Sequence, residues 1–421
     1  MLTGQVQTRL KKIIDQAQFK IDLKLAHNEE LRRAIYIVEV FLQDSGRVCY
    51  GGQAINIHLP QKDQFYNPNT ALPDYDFFSP DAKGDAKKLM DILNESGYTE
   101  ISSRIGIHDG TIKIYVNYTP IADITQMIPE FYESIYNKSK IVNGIHYADV
   151  LFLRMLMFLE LSRPRGQVAR WEKVFERLTL LDTAHPLLKC KNGDPYIEHS
   201  VESERARPTL VRYMIRNDRV FMGADIHEIY KLSGEGRSAK SRSQFLLHGK
   251  APVVFLSPDA NMDATILSNT LHCSKEQVLG YQNILPAMVI LRMEKSIIGL
   301  IIQEEACHSI ITLPLTKGRH LHMASMDTMI LFLIGLYYRE NSLLMTKESL
   351  LCWIRAYIDI SNRYKARPTK LFPAVSIDCS GYETTFASLL RAKDARIQAE
   401  RQHSYATRSR RYNMNRTRKK Y

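Results

Sequence analysis

The segment FFSPDAKGDAKKLMDIL at 77–93 aligns without gaps to FLSPDANMDATILSNTL at 255–271, and nine of the seventeen positions are identical. Phe77, Ser79, Pro80, Asp81, Ala82, Asp85, Ala86, Leu89 and Leu93 each recur 178 residues further on. Chance does not produce so dense a match, and a long-offset repeat of this kind means that one supersecondary unit is used twice. Two weaker echoes follow. VILRMEKSIIGLII at 289–302 repeats the hairpin layout found at 99–118, and SMDTMILFLIGLY at 325–337 resembles YADVLFLRMLMFL at 147–159. A fold for this chain must hold two similar units, and 421 residues suffice for both.

The unit around the first copy reads as small and mixed. Residues 5–43 carry apolar side chains at helical spacing (Ile13, Ile14, Leu31, Ile35, Val38, Leu42). RVCY at 47–50 is a short strand running into Gly51-Gly52, and QAINIHL fits helix or strand by pattern alone. DYDFF at 74–78 is strand-like and stops at Ser79-Pro80. Residues 83–96 form an amphipathic helix with Leu89, Ile92 and Leu93 inward, ended by Gly97. TEISSRIGI and TIKIYVNY flank the turn HDG, a hairpin signal, and PIADIT at 120–125 supplies a further strand. The fold class is α/β (α+β), present twice. The expected organisation is an N-terminal helical segment at 1–45, a first unit at 46–165, a connecting region at 166–240, a second copy at 241–360, and a basic C-terminal segment and tail at 361–421.

What the repeat leaves out is informative. Asp74 and Asp76 fall on Pro252 and Val254 at the same offset. The strand matching IADIT is expected near CHSIIT at 307–312, which holds no carboxylate. An active N-terminal copy and a degenerate C-terminal copy are expected.

Residues two apart in a strand face the same side, so Asp74 and Asp76 project together. Converging carboxylates call for a cation, and their oxygens suit Mg²⁺ or Mn²⁺. Asp123, on the strand after the hairpin, is the natural third member. Three carboxylates can hold two metal ions about 4 Å apart, the arrangement that serves phosphoryl transfer. Gly51 and Gly52 let the backbone approach a phosphate closely and point N–H groups at it. Each part alone is weak, since roughly one D-x-D arises by chance in a chain of ordinary composition. Gly-Gly, D-x-D, hairpin and single Asp in this order within one short unit are specific together.

The charge balance adds an acceptor. Of the formal +12, residues 391–421 supply +9, with eleven Lys and Arg against two acids and with Tyr405, Tyr412 and Tyr421 interleaved. Such a segment suits single-stranded nucleic acid, although a solvated terminus has the same composition. Six scattered cysteines show no C-x-x-C pair and no zinc spacing, so neither a disulfide framework nor a structural metal is expected, and a reducing intracellular setting fits. MILFLIGLYY at 329–338 is too short to span a bilayer, which takes about 20 residues. The expectation is a soluble protein with no membrane role.

GGQAINIHLP, DYDFF and IADIT resemble the nucleotidyltransferase core of the DNA polymerase beta superfamily. In detail they are similar to the poly(A) polymerase catalytic subunits of poxviruses and of other large cytoplasmic and giant DNA viruses. The resemblance covers most of residues 30–165 by motif. It implies Asp74, Asp76 and Asp123 as catalytic metal ligands, Gly51 and Gly52 as the phosphate-binding pair, ATP as substrate and an RNA 3′ end as acceptor. It departs at Gly52, where the family often has Ser, and in a longer path from Gly52 to Asp74, which suggests an inserted loop at PQKDQFYNPNTALP. The implied reaction is template-independent adenylyl addition in the host cytoplasm, at a viral factory or in the virion. Poxvirus relatives take a separate processivity partner, whereas giant-virus relatives imply a homodimer. The alternatives are another nucleotidyltransferase (CCA-adding, uridylyl or small-molecule), or a non-catalytic RNA-binding processivity subunit. Lys138 and Lys140 could reach the triphosphate, although exposed lysines are common; Arg154 interrupts an apolar helix and faces either the cleft or a core edge; the basic stretches RPRGQVARWEK at 163–173 and SNRYKARPTK at 361–370 suit RNA backbone contact or a solvated loop; His27, His58, His108 and His146 show no catalytic or metal spacing.

Overall fold

The computed structural model describes residues 2–67, 69–187, 190, 199–223, 225–234, 246–281, 284–339, 343–369, 372–382, 385–399 and 401–402. They form two mixed α/β units. The first gathers the described residues of Met1–Met127, Ser139–Ala148 and Thr385–Tyr421; the second gathers those of Ile128–Lys138 and Asp149–Thr384. Tyr405, Tyr412 and Tyr421 of the basic tail lie outside the described residues.

In the first unit, α1 (Leu2–Ala26) and α2 (Glu29–Ser45) lead into a sheet. Asn28 caps α2 by accepting the Leu31 N–H at 3.0 Å. Leu31, Ile35, Val38 and Leu42 are buried, as the helical spacing requires. Ile13 and Ile14 are exposed because α1 packs sparsely against α2. The strands are β1 (Val48–Tyr50), β2 (Tyr75–Ser79), β3 (Ile101–Ile105), β4 (Thr111–Val116), β5 (Thr119–Gln126), β6 (Lys140–Val142) and β7 (Ile145–Tyr147). Their order across the sheet is β3-β4-β5-β2-β1-β7-β6. QAINIHL resolves as helix, α3 (Gly51–His58), and 82–95 forms α4 (Ala82–Glu95), which packs on β4 and β5 through Leu89 and Leu93 while Ile92 stays exposed.

The second unit opens with α5 (Pro129–Tyr136), α6 (Val150–Leu161), α7 (Trp171–Ala184), α8 (Val201–Arg216) and α9 (Ile226–Gly234). Its strands are β8 (Val220–Phe221), β9 (Val253–Ser257), β10 (Ser274–Val278), β11 (Met288–Met293), β12 (Ser296–Gln303), β13 (His308–Pro314), β14 (His320–Ala324) and β15 (Cys379–Ser380). They lie in the order β10-β11-β12-β9-β8-β14-β13-β15, the order of the first sheet plus one edge strand. The senses repeat as well: β2 runs parallel to β5 as β9 does to β12, and β1 antiparallel to β2 as β8 does to β9. Even an irregularity recurs, between Ile114 and Tyr115 in one sheet and between Leu291 and Arg292 in the other. The helices α10 (Ala260–Leu271), α11 (Met326–Tyr338) and α12 (Lys347–Ala366) complete the unit.

The identities shared by the two copies are structural. Ser79 accepts the Asp81 N–H and donates to Asp85, which takes Arg47 through Nε at 2.5 Å and Nη2 at 3.2 Å. Ser257 accepts the Asp259 N–H, and Asp263 takes Arg219 through Nε at 2.6 Å and Nη2 at 3.0 Å. Gln126 clamps Pro80 and Ala82 with its amide as Gln303 clamps Pro258 and Ala260. Asp81 and Asp259 cap α4 and α10.

The register also corrects one sequence expectation. Ser79 faces Gln126 and Ser257 faces Gln303, so the counterpart of β5 is β12 and that of Asp123 is Leu300. CHSIIT lies instead in β13, the counterpart of β6. The hairpin at 289–302 repeats β4 and β5, not β3 and β4.

A second correction concerns the cysteines, which were expected to stay unpaired. Cys190 pairs with Cys352 and Cys307 with Cys379, at Cα separations of 5.6 and 5.4 Å. Partners 162 and 72 residues apart leave no local spacing for a sequence reading to find. Cys49 and Cys273 are free thiols. The apolar run at 329–338 lies in α11, which is buried on nearly every side, as a helix hydrophobic all round should be. Among the described residues, no helix is long and apolar enough to cross a membrane.

Candidate active site

The site grows from the junction of β1 and α3. Gly51 sits at φ 72°, a left-handed conformation that glycine takes without strain, and opens the helix. Tyr50 at the N-cap gives no side-chain cap to the first turn of α3, and a helix N-terminus favours a nearby anion. A Cβ on Gly51 would lie 2.2 Å from Oδ2 of Asp76, so this glycine is also what lets the Asp76 carboxylate approach the turn. Gly51→Ala therefore combines left-handed strain of about 1–2 kcal/mol with a displaced carboxylate. The expected result is an unfolding midpoint several degrees lower, read by calorimetry, with a smaller effect for Gly52→Ala, whose backbone is not left-handed.

Asp76 pairs in register with Tyr50 on one side and with Asp123 on the other. Adjacent strands lie about 4.8 Å apart, so the two carboxylates rise side by side from parallel strands. Asp74 is exposed, one residue before β2. Beside them on the same face of the sheet, a hydroxyl chain runs from Tyr50 to Thr125 at 2.9 Å and on to Thr111 at 3.0 Å. Tyr50 stacks on Phe78 with ring centroids 4.0 Å apart. Burial, and then the charge of Asp76, push the Tyr50 phenol far above its ordinary pKa, so it serves as a neutral hydrogen-bond partner.

One member of this cluster escaped the sequence reading. Lys113, on β4, is the register partner of Asp123 and forms an ion pair with it. Burial would lower its pKa, but the hydrogen bond and charge of Asp123, with a contribution from Asp74, outweigh that and raise it. The signal in the sequence is a lysine in the hairpin strand beside IADIT, visible only once the register of the two strands is known.

Three carboxylates without sulfur or imidazole are the donor set of a hard divalent cation. Among the described residues, no group of three or more His, Cys, Asp or Glu is gathered around one point, and Lys113 engages Asp123. The donor chemistry of Asp74, Asp76 and Asp123 and the side-by-side placement of Asp76 and Asp123 suit such a cation, but the three side chains do not converge on one point as they stand, and Lys113 is the competing charge.

The other candidates have partners of their own within the described residues. Arg154 is buried on Asp182 at 2.6 Å and on the His185 carbonyl. His58 meets the Ala148 carbonyl at 2.9 Å, His27 the Leu23 carbonyl at 2.8 Å and His146 the Ser139 hydroxyl at 2.7 Å; His108 lies in the β3–β4 turn. Arg170 pairs with Glu160, Trp171 donates to the Glu160 carbonyl, and Lys365 pairs with buried Asp327. Lys138 lies 5.7 and 5.6 Å from the ring centres of Tyr337 and Tyr338, and Lys140 reaches the Ile57 carbonyl at 3.4 Å. The loop suspected of being an insertion is pinned by Asn56, which accepts the Phe65 and Tyr66 N–H groups and donates to the Tyr66 carbonyl.

Comparison with known proteins identifies the fold first. The crystal structure of the Megavirus polyadenylate synthase aligns with a TM-score of 0.77 over 96% of this chain and 83% of that one, at 20% sequence identity. The two share a fold. Residues 36–167, which hold every carboxylate and glycine of the site, match the family model of the poly(A) polymerase catalytic subunit, the same family that GGQAINIHLP, DYDFF and IADIT resemble. A protein of Acanthamoeba polyphaga mimivirus, provisionally named a poly(A) polymerase catalytic subunit, is 32% identical over 189 residues, covering 43% of this chain and 32% of its own length. Its provisional namesake in African swine fever virus (isolate Tick/Malawi/Lil 20-1/1983) is 29% identical over 167 residues, covering 38% of this chain and 35% of its own. The aligned region thus spans about a third of those curated relatives.

Proposed function

We propose that this chain is a template-independent polynucleotide adenylyltransferase, extending an RNA 3′ end with adenylate from ATP. The observation that carries the reading is the pairing of Asp76 with Asp123 on parallel strands, with Asp76 against the Gly51 turn, inside the segment that matches the family. In the reaction the RNA 3′-oxygen bonds to the α-phosphorus of ATP, the bond from that phosphorus to the bridging oxygen breaks, pyrophosphate leaves and the hydroxyl proton passes to solvent. Asp74, Asp76 and Asp123 are the residues that would hold Mg²⁺ or Mn²⁺. Such an ion supplies a lowered pKa for the attacking hydroxyl and neutralises the phosphates. The N–H groups at Gly51 and Gly52 would receive the triphosphate at the α3 N-terminus.

The second copy acts as a structural element in this reading. Pro252, Val254 and Leu300 stand where Asp74, Asp76 and Asp123 stand in the first. Val254, Leu300 and Ile302 instead line an apolar pocket with Met329, Phe332 and Leu336 of α11. We further propose that the chain forms a homodimer; light scattering of the purified chain gives its mass directly.

The test is to incubate the full chain with a labelled oligoribonucleotide, Mg²⁺ or Mn²⁺, and ATP, CTP, GTP or UTP separately. A ladder with ATP alone is expected. A ladder with CTP or UTP would move the assignment to another terminal transferase, and no extension with any nucleotide would sink the stand-alone enzyme.

A further inference from the structure

The two copies act as an internal control, because what both retain must serve the fold. They retain the Ser-Asp-Arg network, the glutamine clamp, the capping aspartates and the strand irregularity. The residue in the second sheet that takes the place of Lys113 is Ile290, since Ile290 faces Leu300 as Lys113 faces Asp123. Hence the lysine is missing from the same copy that lacks the three acids, while the architecture around it is kept. A lysine needed to hold the β4–β5 hairpin would have no reason to disappear with them, and an apolar pair holds the equivalent hairpin in its place.

We infer that Lys113 is a resident counter-cation of the acid cluster, which yields Asp123 when a divalent ion enters. This rests on the metal-site reading proposed above. Asp76 and Asp123 rise side by side, and like charges at such spacing repel unless a cation lies among them. The Lys113 ammonium, with its side chain about one-third exposed, fills that role for Asp123. A divalent ion competes with it for the Asp123 carboxylate, whose Oδ2 Lys113 holds, so Lys113 sets how tightly the ion is held. Lys113 is thus a positioning residue, and its function is to hold the site ready for exchange.

The experiment is a Mn²⁺ titration of the full chain, read by electron paramagnetic resonance of free Mn²⁺, with no nucleotide or RNA present. Lys113→Met removes the competitor with little change in length and should tighten Mn²⁺ by about fivefold, the size of a partly exposed ion pair. Lys113→Arg keeps the charge and should stay near the wild-type affinity. Thermal unfolding adds a readout: Mn²⁺ should raise the midpoint of Lys113→Met more than that of the wild type. If Mn²⁺ binds the wild type and is lost in Asp76→Asn, yet Lys113→Met binds no more tightly, the exchange is overturned and the metal site stands. If Mn²⁺ binding is insensitive to Asp76→Asn, the metal site and the exchange both fall.

Discussion

Asp76→Asn is expected to lower the proposed adenylyl transfer by three orders of magnitude or more while leaving the fold intact. Asp76 lies between Tyr50 and Asp123 in register and packs against Gly51, so it joins the glycine turn to the partner acid. Charge stabilisation by an active-site metal amounts to several kcal/mol, and about 4 kcal/mol corresponds to a thousandfold in rate. Asparagine keeps the size and removes the charge, which makes it a sharper probe than alanine. Single-turnover extension of a labelled RNA measures the loss. Asp81→Asn is the matched control: Asp81 caps α4, Asn caps equally well, and the rate should hold within about twofold. Equal losses in the two variants would locate the effect in folding and remove Asp76 from the chemistry.

Arg219→Met carries the largest expected effect on stability. Asp263 is fully buried and takes two bonds from Arg219, with further help from Tyr213 at 2.7 Å. Burial alone would raise its pKa, but the hydrogen bonds from Arg219, Ser257 and Tyr213 and the charge of Arg219 hold it below the usual carboxylate range. Removing the arginine strands a buried charge at a cost of about 3–5 kcal/mol. Urea unfolding at pH 7 reads this as a lower midpoint. Because the folded pKa of Asp263 is depressed, its contribution is complete above the unfolded carboxylate value and fades as pH falls through the folded one. The gap between wild type and variant should therefore narrow below about pH 4. Arg47→Met, at the matching pair in the first unit, should act in the same direction but less strongly, since Arg47 and Asp85 are a little more exposed. A gap that is independent of pH would show that packing, and not the buried carboxylate, dominates the loss.

Much of the fold was legible in the sequence because its signals are local. The repeat at 77–93 and 255–271 marks two copies of one strand-turn-helix, and the residues it preserves are those that build the turn: the serine, the capping aspartate and the buried aspartate. DYDFF reads as a strand stopped by Ser79-Pro80, and IADIT as a short strand after the hairpin. QAINIHL did not resolve from pattern, since a short apolar run fits two periods, and it became a helix through the turn at Gly51 and the cover it gives β2. Ile13 and Ile14 have helical spacing but no core to enter, because spacing describes a face and says nothing of what covers it.

What escaped the sequence reading depends on pairing across distance. The counterpart of IADIT was sought near CHSIIT, whereas strand register places it in β12. Cys307 and Cys379 meet only because β15 lies along β13, and Cys190 and Cys352 are separated by most of the second unit. Sequence leaves Arg154 open between the cleft and a core edge, and the structure buries it on Asp182, a partner 28 residues away on another helix.

The amino-acid sequence by itself determined that there are two copies, that one holds Asp74, Asp76 and Asp123, and that a double glycine precedes them. These follow from residue identity and spacing along the chain. Only the tertiary structure decided that Asp76 and Asp123 stand opposite each other and that Lys113 faces Asp123. The reason is that register between strands is set by turns and by the irregularity at Ile114 and Tyr115, where a one-residue slip turns every side chain to the other face.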